Sequence, residues 1–344
     1  MPMRPLLRTW MPVPSAGPLP AAMRAALDAM AARQGARAAA RLSGLSPAAP
    51  VAMLRAPSPR GHLPPRMVSA VTITHVTTYR YDRPVLLGPQ TIRLSPAPHA
   101  AAVIRRHALT VEPANHRLFQ RRDPQGNPEA RAVFDGRVEH FTITAVLEAE
   151  LVPVNPFAFL LEDGADRWPF TYEPLLAAEL APNLRCGAAG PGLAALLPEA
   201  QAGGEDTIPL LIALARRVAG EIRYIRRDEP GIWEAEEVVS RGEGSCRDTG
   251  WLLVQAFRAM GIAARFCSGY LLDTNEGTAE LHAWAEAFLP GAGWVGFDPT
   301  SGLLAAEFHL PLSAASDPRL AAPVSGTHEA CGVDFSASLT LVPA

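Results

Sequence analysis

Hydrophobic and polar positions alternate in the chain from Val71 onward. The stretch from Val71 to Tyr81 is dominated by β-branched and aromatic residues, and period-two alternation places Thr77, Tyr79 and Tyr81 on one face. Further strands are predicted over 91–95, 103–112, 117–120, 130–134 and 138–152, separated by turn chemistry such as Asp123-Pro-Gln-Gly-Asn127 and Asp135-Gly136. Closely spaced short strands without intervening helices point to a sandwich or an open barrel. We take the sandwich, over 68–155. Residues 156–207 are punctuated by proline, with Trp168-Pro-Phe170 and Tyr172-Glu-Pro174 reading as extended connector. Helical spacing returns over Ile208–Ile222, where Leu211, Leu214, Ala215, Val218 and Ile222 share a face.

A core domain is expected over 208–305. A small-residue loop, Arg241-Gly-Glu-Gly-Ser245, leads into a helix in which Leu253, Phe257 and Met260 align, and Gly261 stands where a left-handed C-terminal cap belongs. A strand over Ile262–Leu272 follows, then two short strands, His282–Phe288 and Gly293–Phe297, joined through Pro290-Gly291-Ala292. Alternation puts His282, Trp284, Glu286 and Phe288 on one face of the first and Ala283, Ala285 and Ala287 on the other. With a three-residue loop, Leu289 pairs with Gly293 and Asp298 falls opposite Trp284. Asp298 then shares the His282 face, one diagonal of about 7 Å away. A four-residue loop would turn Asp298 to the opposite face. The remainder, 306–344, reads as a tail with one strand at Val333–Leu341.

Composition narrows the chemistry. All 31 basic residues are arginine and none is lysine. A P-loop and a Schiff-base site both require a lysine, so neither can be built. Residues 1–66 hold nine arginines and one acid, Asp28, and the rest of the chain is acidic. An acidic body argues against a nucleic-acid partner, which would need clustered positive charge. The Ala-, Pro- and Arg-rich segment 1–66, with one Ala-rich helix conceivable over Ala21–Leu42, reads as a disordered extension or a mis-called start with Met67 as initiator. Its prolines (Pro12, Pro14, Pro18, Pro20) interrupt any apolar signal core, and no apolar run approaches the roughly 18 residues of a membrane helix. A cytoplasmic protein with no membrane partner is therefore expected. The four cysteines (Cys186, Cys246, Cys267, Cys331) form no C-x-x-C, and the chain lacks G-x-S-x-G, H-E-x-x-H and G-x-G-x-x-G.

Cys246 stands apart because it opens a helix. Unpaired N–H groups and the dipole at a helix N-terminus favour a thiolate, and the Cys246 N–H is a natural oxyanion donor. His282 would draw the thiol proton, and Asp298 would fix the imidazole tautomer and support its positive charge. Cys246, His282 and Asp298 are thus the candidate catalytic residues, with no cofactor or metal expected. Asp248, in the first turn of the same helix, reads as structural. Cys186, Cys267 and Cys331 read as small buried residues, His75 as structural, Trp284 and Trp294 as core or cleft walls, and Glu286 as half of an ion pair with an unnamed arginine. His309 and His328 belong to no constellation.

Gly-Ser-Cys246-Arg-Asp, Ala-Arg265-Phe-Cys-Ser-Gly-Tyr270, His282-Ala-Trp-Ala-Glu286 and Gly-Trp294-Val-Gly-Phe-Asp298-Pro-Thr300 together resemble the core of the bacterial transglutaminase-like superfamily. His75-x-Thr-x-Tyr79-x-Tyr81-x-x-Pro84-Val85, Arg93-Leu-Ser-Pro96 and Asp123-x-x-Gly-Asn127 are similar to the N-terminal β-region of those proteins. The resemblance spans about 70 to 340. It implies an α+β fold, a papain-like, transglutaminase-like core behind a β-sandwich, with Cys246 as nucleophile, His282 as base and Asp298 as orienting acid. The Asp273–His282 segment is short for the family, and no acidic cluster resembles the calcium sites of animal transglutaminases. The expected activity is hydrolysis of a peptide, isopeptide or amide bond in a peptide or protein substrate. Two alternatives stand beside it: an amine-transferring transglutaminase, whose acceptor lysine would have to come from another molecule, and a non-catalytic peptide- or protein-binding module. Oligomeric state is left open.

Overall fold

In the computed structural model, the residues described are 3–5, 69–187, 189–199 and 204–344. The expectations for segment 1–66 and for a helix over Ala21–Leu42 therefore lie outside the described residues, except that Met3–Pro5 forms a short strand antiparallel to Thr327–Glu329.

The alternating stretch forms strand Ser69–Leu86, in which each odd-numbered residue from Val71 to Tyr81 is buried. This strand pairs with Arg137–Leu151 on one side and Val333–Pro343 on the other, and Val103–Glu112 completes a four-stranded sheet. A second four-stranded sheet runs in the order Val324–Ser325, Gln90–Ile92, Pro128–Phe134, His116–Arg122. Ile73, Tyr79, Phe141 and Ile143 of the first sheet meet Ile92, Ala130, Ala132 and Phe134 of the second in one apolar cluster. Tyr79 stacks on Phe141 at 5.6 Å, and Phe134 approaches Phe141 edge-on at 5.4 Å. The N-terminal region is a β-sandwich.

The proline-rich segment is more regular than its composition implies. It carries three short helices, Pro174–Glu179, Ala181–Leu184 and Pro191–Leu196, each with a proline in its first two positions. A first-turn proline gives up no intrahelical hydrogen bond and presets the helical φ, so the residues read as breakers begin helices here.

The core half supplies helices Thr207–Glu221, Ala235–Arg241 and Cys246–Ala259. The last is capped by Gly261 at φ 79°, as its position implies. A five-stranded antiparallel sheet runs in the order Leu303–Leu304, Gly293–Asp298, Thr278–Leu289, Ala264–Asp273, His309–Ala315. Helix Cys246–Ala259 packs on the face bearing Phe297, whose ring meets Phe257 at 5.2 Å, and the paired Ala285 lets the helix lie close. The whole is the α+β, papain-like arrangement.

Beyond residue 305, where the alternation pattern shows one strand, the structure has four. Besides Val333–Pro343 these are His309–Ala315, Val324–Ser325 and Thr327–Glu329. All seven residues of His309–Ala315 are buried, so the strand shows no alternation, and its Pro311 sits at a bulge where the register against Ser268 and Gly269 shifts. Sandwich and core sheet also share one interior. Tyr270, Leu272, Leu281, Leu310 and Leu312 belong to the same apolar cluster as Val71 and Ile73. The buried His75 bridges them, with Nδ1 at 3.0 Å from the Tyr270 hydroxyl and Nε2 at 2.9 Å from the Thr77 hydroxyl. No helix among the described residues is long and apolar enough to cross a membrane.

Candidate active site

Cys246 is the first residue of its helix and only 2% exposed. The turn before it is held by Asp248, whose carboxylate accepts five hydrogen bonds. One oxygen takes the Ser245 N–H at 2.9 Å, the Ser245 O–H at 2.6 Å and the Arg227 Nε–H at 2.9 Å. The other takes a second Arg227 N–H at 3.1 Å and the Trp233 N–H at 2.9 Å. Asp248 is thus the structural post of the nucleophile loop. The neighbouring Arg247 is buried, donates to the Gly231 carbonyl at 2.8 Å and interacts through its charge with Cys246.

The hairpin has the three-residue loop. Leu289 pairs with Gly293, and the ladder runs to Ala285 opposite Phe297, so Asp298 lies on the His282 side. His282 Nε2 stands 3.1 Å from Asp298 Oδ1, although the ring N–H is not aimed at that oxygen. The pair is therefore chiefly ionic. Cys246 is a charge neighbour of the same ring. The structure brings all three candidate residues together. Burial opposes a charge on His282, but Asp298, with a further contribution from Cys246, outweighs it and holds the imidazolium well above the ordinary histidine range. Burial likewise opposes the Asp298 carboxylate, and the two flanking histidines, His282 and His309, bring its pKa well below the usual value.

Two neighbours were not evident from the sequence. His309, assigned to no constellation, faces Asp298 Oδ2 with its Nε2 at 3.3 Å. Its Nδ1 accepts the Ala306 N–H at 3.3 Å, which places the ring proton on Nε2, toward the carboxylate. Asp298 is further held by the Thr300 N–H at 2.8 Å and the Ser301 O–H at 2.9 Å. Trp284 backs the group, with its ring edge-on to His309 at 5.2 Å and stacked beside His282 at 6.3 Å. Gly269 makes room for it, since a Cβ there would come within 2.6 Å of the Trp284 ring. The second neighbour is Glu280, whose Oε1 lies 3.9 Å from His282 Nδ1. Burial raises its pKa to about 7; Asp298 adds to the rise, and His282 opposes it. Extending the alternation two residues back from His282 would have found Glu280. His309 leaves no comparable local signal.

Glu286 finds its partners in Arg265 at 2.6 Å and His99 at 3.2 Å. Cys267, beside that group, is fully buried, which raises its thiol pKa well above the ordinary value. Cys331 has an imidazole neighbour: its Sγ is 3.3 Å from His328 Nδ1. Among the described residues, two groups have ligand atoms close enough for a metal ion, His99–Cys267–Glu286 and His282–Asp298–His309. The Arg265 guanidinium already fills the first with positive charge. In the second, ion pairing and the His309 N–H already account for the carboxylate's oxygens.

Residues 71–150 match the bacterial transglutaminase-like N-terminal region, and residues 194–299 match the transglutaminase-like superfamily. An uncharacterized protein of Mycobacterium tuberculosis is 25% identical over 271 residues, covering 74% of this chain and 86% of the relative. An uncharacterized protein of Mycobacterium leprae is 24% identical over 275 residues, covering 76% and 93%. A solved structure of a candidate cysteine protease from Cytophaga hutchinsonii superimposes with a TM-score of 0.60 at 16% identity, covering 80% of this chain and 91% of that one. That likeness is one of fold. The chain therefore joins a bacterial transglutaminase-like N-terminal region to a core of the transglutaminase-like superfamily.

Proposed function

We propose that this protein is a cysteine-dependent acyl-transfer enzyme that hydrolyses a peptide, isopeptide or amide bond in a peptide or protein substrate. The observation that carries the reading is His282, buried between Asp298 and Cys246 with its charged form favoured. Such an environment stabilises a thiolate–imidazolium pair at Cys246. The Cys246 sulfur attacks the carbonyl carbon, and the displaced electron pair goes to the carbonyl oxygen, facing the Cys246 N–H. Collapse breaks the C–N bond, His282 gives its proton to the departing amine, and a thioester remains. Water then gives a proton to His282 and its oxygen to the acyl carbon, releasing the acid and regenerating the thiol. Asp298 stays ionised throughout and orients the ring.

A screen of peptide and amide substrates should show turnover by the wild type and none above background by Cys246→Ala. Iodoacetamide should modify Cys246 faster than Cys267 near neutral pH; equal or slower modification would remove the activated thiolate and with it the reading. Incorporation of a labelled amine into a glutamine-bearing substrate would assign amine transfer in place of hydrolysis.

A further inference from the structure

Glu280 is a carboxyl group beside the His282 ring that the triad does not use. It sits two residues before His282 on the same strand and the same face, with Oε1 at 3.9 Å from His282 Nδ1. Its side chain is 13% exposed, against 0% for His282 and 2% for Asp298, so among these polar groups it is the one that reaches the outside. Among the described residues no arginine lies within ion-pair distance of it, and its one neighbour of opposite charge is His282. Glu286, on the same face of the same strand, has the opposite environment. Arg265 and His99 satisfy it, and despite its burial they lower its pKa to about 2. The same residue type is thus saturated with positive charge at one position and left without an arginine at the other.

We propose that Glu280 forms an ammonium-binding subsite beside Cys246, and that the preferred substrates carry a free cationic amine next to the bond that is broken. This rests on the acyl-transfer reading of Cys246 and adds the substrate class to it. A cation seated there would give the carboxylate the partner the fold withholds, at the edge of His282 where the departing amine collects its proton. A neutral group would leave the half-buried carboxyl with His282, already shared with Asp298, as its one counter-charge, and an anionic group would oppose it. Burial, His282 and Asp298 set its charge; His309 in turn contacts Asp298, and Cys246 at the helix start lies beside Arg247. With a pKa of about 7, the carboxyl gains its negative charge as pH rises through neutrality. Cation preference should strengthen over the same interval.

Three alkylating reagents test this on the full chain without a known substrate. Bromoethylamine is a cation, iodoacetamide is neutral and iodoacetate is an anion, and each displaces halide by attack of the Cys246 sulfur. Rates are read at Cys246 by peptide mapping, and iodoacetamide provides the intrinsic reactivity. In the wild type the bromoethylamine-to-iodoacetate rate ratio should exceed that of Glu280→Gln by about tenfold, the scale expected for one partly buried charge at contact distance. The wild-type ratio should also fall as pH drops below about 7, a readout that needs no variant. Glu280→Asp, with the charge drawn back by one methylene, should lie between. Equal ratios in wild type and Glu280→Gln, or a wild-type ratio flat across neutrality, would overturn the subsite while iodoacetamide still modifies Cys246 ahead of Cys267. If that last preference is absent, the acyl-transfer reading itself falls, and the subsite with it.

Discussion

Asp298 is gripped from four directions: by His282, by His309, by the Thr300 N–H and by the Ser301 hydroxyl. A carboxylate so held has little freedom to turn away from the His282 ring, and each donor favours its ionised form. His309 is the member whose removal is most telling, because it touches neither Cys246 nor His282 through a hydrogen bond. His309→Ala should raise the Asp298 pKa, weaken the support of the imidazolium and shift the pH profile of Cys246 alkylation, with a rate loss of about tenfold if the lost interaction is about 1.4 kcal/mol. His309→Gln, whose side-chain amide can donate to the same oxygen, should restore the profile. A purely structural histidine would change unfolding stability in both variants and leave the profile where it was.

The elements that carry the site are each held by a local device. For helix Cys246–Ala259 it is Asp248, which ties the loop before the nucleophile to Arg227, an arginine only 7% exposed. Asp248→Ala would leave that buried guanidinium with only the Gly231 carbonyl, the Trp233 ring and the Glu229 carboxylate at 3.8 Å, and free the Ser245 turn. The expected cost is about 3–5 kcal/mol of stability, the range for breaking a buried ion pair, checked by denaturant unfolding. A value under 1 kcal/mol would mean that solvent replaces the carboxylate. Much at this scale was legible in sequence. The helix start at Cys246 and its Gly261 cap follow from neighbours in the chain; parity reduced the side of Asp298 to the length of one hairpin loop, and the structure has the three-residue loop that puts it beside His282. Strand His309–Ala315 was hidden because both its faces are buried and its proline lies at a bulge. The helices that open with Pro174, Ala181-Pro182 and Pro191 were hidden because proline marks a helix start as readily as a break.

At the scale of the molecule, sandwich and core sheet are joined through His75 and Tyr270. Burial lowers the His75 pKa from 6.5 to about 3, so the folded chain keeps this ring neutral. An unfolded chain takes up a proton there below pH 6.5, and the folded chain does so only near pH 3, so this residue's contribution falls as pH drops through that window. The slope reaches about 1.4 kcal/mol per pH unit. Unfolding of wild type and His75→Gln, followed at neutral pH and between pH 6.5 and 5, should show the wild type losing stability relative to the variant on acidification, as the carboxylates common to both cancel. A difference independent of pH would mean that His75 is not held neutral across the junction.

The sequence by itself determined the elements and the mutual placement of residues close along the chain. Alternation and turn signals act over a few residues; they were enough to put Cys246 at the start of a helix and to tie the face of Asp298 to the length of one loop, which the folded hairpin decided. Tertiary structure decided what those residues meet. His309 reaches Asp298 because its strand adds to the far side of Ala264–Asp273, where pairing depends on burial on both faces. Glu280 remains without an arginine while Glu286 has Arg265 and His99, a difference set by which side chains the fold carries to each position. Charge and burial at a buried site are sums over neighbours distant in sequence, and they exist only once the chain has folded.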